Sequence, residues 1–275
     1  MSNNPVIFVG AGPGDPDLIT LAGQKALAKA DLVVHAGSLV NPEILSWCRP
    51  EARLVDSAPL DLTEITDLLI EGWKSGQKVA RLHTGDPSIY GAIHEQILIL
   101  KRHGIDWKVI PGVTAALAGA ASLGLEYTLP EITQTLIITR AAGRTPVPAG
   151  EDLASPARSR SSMAIYLSAS QGRSVGQTLA EAYGPEAPLA LLYRVSWPDA
   201  KTIWTTCGRL AETLSDEKLD RHTLILAGPA VAALKSGQET PKSKLYDAAF
   251  THGYREAKTE ERAESGKLSE AIDEA

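Results

Sequence analysis

Apolar and polar positions follow two rhythms along the first 124 residues: short apolar runs, then longer stretches with apolar side chains three and four apart. Residues 5–9 form the first run and 18–30 carry the first helical spacing. Residues 31–35 are a second run, and a weaker one at 53–55 precedes a helix over 63–75 that Thr63 would cap and Gly76 would stop. A strand over 78–82 leads to a helix over 91–102 ended by Gly104, and a strand over 107–110 leads to a helix through 118–123 ended by Gly124. Strands alternating with helices predict a parallel sheet with crossover helices.

The rhythm changes after residue 124. A linker over 127–133 would join an N-terminal α/β domain (1–126) to a C-terminal one (134–255). Strands are expected over 134–140, 163–167, 189–193, 201–206 and 222–229, with helices over 175–183 and 208–214. The turn at 196–200 makes 189–206 a hairpin, so the second sheet should be mixed. Residues 141–162 are rich in Ala, Pro, Gly, Ser and Arg without a period, and read as one long loop. The charged stretch 256–275 reads as a disordered tail. The fold class is therefore α/β, with two α/β domains.

Composition narrows the partners. With 275 residues, 44% hydrophobic, 22% charged and a net charge of -6, the chain is globular and lacks the basic excess of a nucleic-acid binder. Cys48 and Cys207 stand far apart, without metal-ligand spacing, and read as buried thiols. No secretory leader or membrane-length apolar run is visible, which points to the cytoplasm.

Candidate chemistry sits where predicted strands end. Gly10-Ala11-Gly12-Pro13-Gly14-Asp15 approaches a dinucleotide fingerprint, but Asp15 stands where the third glycine belongs, and the strand over 31–35 ends without a ribose-binding acid. Thr84-Gly85-Asp86-Pro87-Ser88-Ile89-Tyr90 follows the 78–82 strand, where open sheets place ligands. Asp86 there either takes a hydrogen bond from a ligand or caps the next helix. Thr114 and Ala115 open a helix whose first N–H groups are free for a ligand, unless Thr114 only caps it. Asp15 is an acid–base candidate on position alone, against the simpler role of a turn residue bonding its own backbone.

In this order and spacing, Val9 to Pro16, Thr84 to Gly91 and Pro111 to Ala115 resemble the tetrapyrrole (corrin/porphyrin) methyltransferase family. The resemblance covers about residues 5 to 255, and Val34 to Val40, Tyr193 to Pro198 and Lys244 to Arg255 carry a closer match to one branch of it. It implies two α/β domains with the active site in the cleft between them, a homodimer, a tetrapyrrole (precorrin) acceptor and S-adenosylmethionine as donor. It also implies donor contacts at Pro13, Thr84, Gly85, Asp86, Ile89, Thr114 and Ala115, and, in the second domain, at Leu167, Val195, Thr223 and Leu224. The family often has Gly at position 84 and Met at position 167.

A sulfonium donor needs neither a metal nor a covalent nucleophile, so none is expected, and the protein's task is to align sulfur, methyl and acceptor carbon. A polycarboxylate acceptor calls for arginines, and Arg140, Arg144, Arg173 and Arg194 lie near predicted strand ends or loops. A nucleotide-dependent oxidoreductase and a non-catalytic tetrapyrrole carrier are the alternatives. Binding of the methyl donor separates all three.

Overall fold

The computed structural model describes residues 4–257. The N-terminal unit runs β1 (Val6–Gly10), α1 (Leu21–Leu27), β2 (Leu32–His35), β3 (Arg53–Asp56), α2 (Leu62–Lys74), β4 (Val79–His83), α3 (Ile93–Arg102), β5 (Trp107–Ile110) and α4 (Ala115–Leu123). Its sheet has the order β3-β2-β4-β1-β5, with every pair parallel. One face buries Val9, Val33 and Leu82 with Leu27 of α1; the other buries Phe8 and Val34 with Leu69 of α2 and Leu100 of α3.

Local chemistry shifts several expected boundaries. The cap of α2 is Asp61, not Thr63: its carboxylate accepts from Glu64 N while the Glu64 carboxylate accepts from Asp61 N, a reciprocal capping box. The helix expected over 18–30 begins only at Leu21 because Pro16–Leu18 forms a separate 3-10 turn and Thr20 caps α1. The helix after β5 opens at Ala115 with Thr114 at its cap position, as expected.

The C-terminal unit runs β6 (Leu136–Arg140), α5 (Ala154–Ala157), β7 (Ser162–Tyr166), α6 (Gly172–Tyr183), β8 (Pro188–Tyr193), β9 (Lys201–Thr206), α7 (Leu210–Asp216), β10 (Thr223–Ala227) and α8 (Pro229–Ser236). Its sheet order is β6-β7-β10-β8-β9. The β6–β7 pair is parallel and the other three are antiparallel, so the sheet is mixed and β8–β9 is the expected hairpin. The stretch 141–162 is not all loop, since it holds α5 and the first residue of β7. Helix α8 begins with Pro229 at its first position, a start signal hidden inside the expected last strand. The charged tail expected over 256–275 lies, from residue 258 on, outside the described residues.

The two units share packing. Ala116, Ala118 and Ala120 of α4 bury against Ala164, Leu192 and Leu224 of the second sheet. Gly119 permits this approach, because a Cβ there would lie 2.5 Å from Leu192 Cδ1. Helix α4 therefore leaves the first sheet at β5 and seats on the second. Because β7 and β8 are both antiparallel to β10, the carboxyl ends of β6, β7 and β8 and the start of β10 share one edge, which faces the loops of the first sheet.

Candidate active site

The order β4-β1-β5 brings the three motif loops together at the carboxyl edge of the first sheet. Gly12 and Gly85 exchange backbone hydrogen bonds, Gly12 N donating to Gly85 O at 3.2 Å and Gly85 N to Gly12 O at 2.8 Å. A Cβ on Gly10 would stand 2.6 Å from Gly112 N, and one on Gly112 would stand 2.2 Å from Gly85 O. No side chain fits at either position, so three backbones meet there and leave their outer surface to a ligand.

Asp86 ties this junction. Its Oδ2 accepts from Gly112 N at 2.9 Å, and its Oδ1 accepts from Ser88 N at 2.8 Å and from Ser88 Oγ at 2.5 Å. Burial raises its pKa, but the Ser88 hydroxyl and the Gly112 and Ser88 N–H groups together hold it below the ordinary value. It does not cap α3, whose cap position is Ala92. Its carboxylate thus joins the β4 loop to the β5 loop, beside Gly85 and Thr84. Asp15 has the simpler of its two roles: its side chain accepts from Asp17 N and caps the turn at Pro16–Leu18.

Thr114 occupies the cap position of α4 but makes no side-chain capping bond. Its Oγ1 lies 2.6 Å from the hydroxyl of Tyr166, at the end of β7, and the same hydroxyl accepts from Ala116 N at 2.7 Å. Tyr127 donates to Ala116 O at 2.7 Å. The Ala115 N–H has no partner among the described residues. Tyr90, beside Ile89 on the β4 loop, brings its ring within 5.7 Å of the Tyr166 ring. Neither tyrosine was a sequence candidate, although Tyr166 directly precedes one.

On the facing edge, Leu167 does not end a buried strand as expected. It stands just after β7 in the left-handed region (φ 52°), with 68% of its surface exposed. An apolar side chain held there costs about 1–2 kcal/mol of backbone strain, and such strain collects at ligand sites. Val195, Thr223 and Leu224 lie at the same edge and are buried.

The loop after β8 clasps the first glycine loop. Trp197 Nε1 donates to Pro13 O at 2.9 Å, Asp15 N donates to Ser196 Oγ at 2.9 Å, and a Cβ on Gly14 would lie 2.1 Å from the Trp197 indole. All four candidate arginines emerge at this edge. Arg140 ends β6, and its guanidinium donates to Ala141 O, Thr145 O and Pro146 O. Arg194 pairs with Asp199 at 2.9 Å and lies 4.0 Å over the Trp197 ring. Arg144 and Arg173 are exposed, without an ion pair among the described residues. The guanidinium of Arg140 is therefore committed to its own loop, and that of Arg194 to the clasp.

Beneath the β4 loop lies a polar group that reading the strands as apolar runs overlooked. Arg81 and His83 alternate on one face of β4, and both are buried. Arg81 donates to Val34 O and Gln96 Oε1, and burial lowers its pKa to about 10. Burial and then the Arg81 charge push the His83 pKa down to about 3, so its ring is neutral. Its Nε2 has no partner among the described residues. No group of three His, Cys, Asp or Glu among those residues is placed to hold a metal ion.

The two α/β units meet at a glycine-built loop junction. The family model described as Tetrapyrrole (Corrin/Porphyrin) Methylases matches residues 5–211, and the chain belongs to this family. It is 46% identical over 261 residues to a cobalt-precorrin-4 C(11)-methyltransferase of Methanocaldococcus jannaschii, covering 93% of this chain and 98% of that one. It is 44% identical over 250 residues to a precorrin-4 C(11)-methyltransferase of Pseudomonas aeruginosa, covering 91% and 98%. The fold matches a solved cobalt precorrin-4 methyltransferase with a TM-score of 0.80 and 40% identity, over 82% of this chain and 95% of that one. It also matches a uroporphyrin-III C-methyl transferase from Thermus thermophilus complexed with S-adenosylhomocysteine, at a TM-score of 0.70 and 26% identity over 83% and 99%.

Proposed function

We propose that the protein methylates C-11 of precorrin-4 to give precorrin-5 in cobalamin biosynthesis, with S-adenosylmethionine as donor. The observation that carries the reading is the close meeting of the Gly10, Gly85 and Gly112 backbones, where a Cβ on Gly10 or Gly112 would collide with neighbouring backbone, within a chain 46% identical to a C-11 methyltransferase. A donor bound there would supply an activated methyl, its sulfur–methyl bond breaking with the electron pair left on sulfur as the acceptor carbon takes the methyl and the macrocycle releases a proton to solvent.

The chain's own residues have three tasks. The backbones of Pro13, Thr84 and Gly85, with Ile89, Thr114 and Ala115, hold the donor against the first sheet. Leu167, with Val195, Thr223 and Leu224 behind it, closes the facing wall and keeps water from the reacting carbon. Arg144 and Arg173, with Arg140 and Arg194 behind them, draw the acceptor's carboxylates to the second-sheet edge. Close docking aligns the reacting atoms, so positioning supplies the rate. Asp15 is assigned no proton transfer, because its carboxylate caps a turn.

The nearer of the quoted relatives is named for the cobalt-bearing acceptor, so cobalt-precorrin-4 is the second reading. The experiment is a calorimetric titration with S-adenosylhomocysteine, with NADH in parallel, followed by turnover with precorrin-4 and cobalt-precorrin-4, read as a mass gain of one methyl. Binding of NADH alone overturns the reading. We also propose domains of 1–126 and 134–255 joined by a linker over 127–133, and a cytoplasmic homodimer. Among the described residues no helix is long and apolar enough to cross a membrane. Light scattering on the purified chain tests the dimer.

A further inference from the structure

We infer that Tyr166, reaching across from the second sheet, is a positioning residue for the methyl donor: its hydroxyl turns the Thr114 hydroxyl proton outward, toward an acceptor atom of the donor. This rests on the donor reading above. The geometry is a three-membered chain. Ala116 N–H donates to Tyr166 Oη at 2.7 Å, and Tyr166 Oη stands 2.6 Å from Thr114 Oγ1. A phenol has one proton to give, and Thr114 Oγ1 is its hydrogen-bond partner here besides the donating Ala116 N–H. The bond can run either way; with no other acceptor for the phenol among the described residues, Tyr166 O–H is assigned as the donor to Thr114 Oγ1, which leaves the threonine proton unspent.

Two further features fit this direction. Each link of such a chain polarises the next, which makes the terminal hydroxyl a better donor. The freed threonine proton and the unpartnered Ala115 N–H stand on adjacent residues at the positive end of α4. Thr114 gives up the ordinary capping bond to its own helix, which Tyr166 supplies instead. Tyr127 pins the same turn through Ala116 O. The helix that contacts the donor is thereby set by residues of the other unit.

The test is calorimetric binding of S-adenosylhomocysteine to the full chain and to Tyr166→Phe, Thr114→Val, Thr114→Ser and the Tyr166→Phe/Thr114→Val double variant, with a thermal melt of each. Tyr166→Phe and Thr114→Val should each weaken binding about 10-fold, and the double variant should be no weaker than either single, because the chain acts as one unit. Thr114→Ser should stay within about 2-fold of the unmodified chain, since it keeps the hydroxyl. If Tyr166→Phe lowers the melting temperature but binds normally, its role is structural and the inference falls. If Tyr166→Phe does not fold, Thr114→Val decides, and normal binding by that variant overturns the inference. If the unmodified chain does not bind, the donor reading falls and takes this role with it.

Discussion

Asp86 accepts the Gly112 N–H at 2.9 Å across two loops 26 residues apart in sequence. The bond joins the carboxyl ends of β4 and β5, and with Ser88 it uses both carboxylate oxygens. Asp86→Asn keeps the shape but offers one acceptor oxygen instead of two, so either Gly112 or Ser88 loses its bond. Loss of a charge-assisted bond of this kind should cost on the order of 1–2 kcal/mol, read by urea denaturation, and should weaken S-adenosylhomocysteine binding. The sign with pH follows from the direction of its shift. Its folded pKa lies below the unfolded value of 3.8, so the stabilisation is full above that value and is lost as pH falls through the folded pKa. Unchanged stability and binding in Asp86→Asn would remove it from the site.

The glycine junction predicts a harsher result for a smaller change. Gly112→Ala places a methyl 2.2 Å from Gly85 O and 2.9 Å from Gly10 Cα, and both neighbours are backbone that cannot rotate away. Overpacking of that kind should destabilise by about 3 kcal/mol or more. Gly76→Ala is the control: a Cβ there meets nothing within 4 Å, but φ is 80°, so only the backbone penalty remains of about 1 kcal/mol. Equal melting temperatures for the two variants would mean that the junction relaxes and that close backbone approach is not what holds the site.

The contrast between Gly112 and Tyr166 shows what the sequence could reveal. Gly10, Gly85 and Gly112 stand beside predicted strand ends, and strand ends are local features that hydrophobic periodicity exposes, so the loops and both sheets were readable. The partner of Thr114 was not, because Tyr166 lies 52 residues away and their contact depends on how α4 seats on the second sheet. Asp61 was missed as a cap in favour of Thr63 because both types cap helices, and only the reciprocal bond with Glu64 separates them. Leu167 looked like the end of a buried strand because its identity is apolar, while its exposure comes from a backbone turn that apolarity does not encode. Arg140 and Arg194 stand at strand ends, as periodicity suggests, but periodicity carries no information on Asp199, which ties down Arg194.

His83 gives the protein a pH dependence that begins above the carboxylate range. Its folded pKa is pushed down to about 3 by burial and then by Arg81, against an ordinary value of 6.5. Above pH 6.5 neither the folded nor the unfolded ring is protonated, and the stabilisation is complete. Between 6.5 and about 3 the unfolded chain takes up a proton that the folded one refuses, so stability falls as pH falls. The slope from this one group approaches about 1.4 kcal/mol per pH unit. His35, lowered mainly by burial, acts in the same direction. His83→Phe keeps the ring that stacks on Phe8 and removes the titration. Urea midpoints measured from pH 7.5 to 5 should fall for the unmodified chain and fall less for His83→Phe; parallel curves would show that His83 titrates normally.

Trp197 and Gly14 should behave as one unit. The indole lies where a Gly14 Cβ would be, 2.1 Å from its Cδ1, while its Nε1 donates to Pro13 O. Gly14→Ala alone must push the indole out and break that bond, opening the clasp between the second-sheet edge and the first glycine loop. Trp197→Phe alone loses the hydrogen bond, worth about 1 kcal/mol, together with part of the ring beneath Arg194. Arg194→Ala removes the cation over the ring and the Asp199 pair, a loss of about 1 kcal/mol or less at a partly exposed site. The informative variant is the double one. Trp197→Ala vacates the space that the Gly14→Ala methyl needs, so the double variant should cost less than the sum of the two singles, with a coupling of at least about 1 kcal/mol. Additive costs in thermal melts would mean that the two side chains do not share that space and that the clasp is not closed in solution.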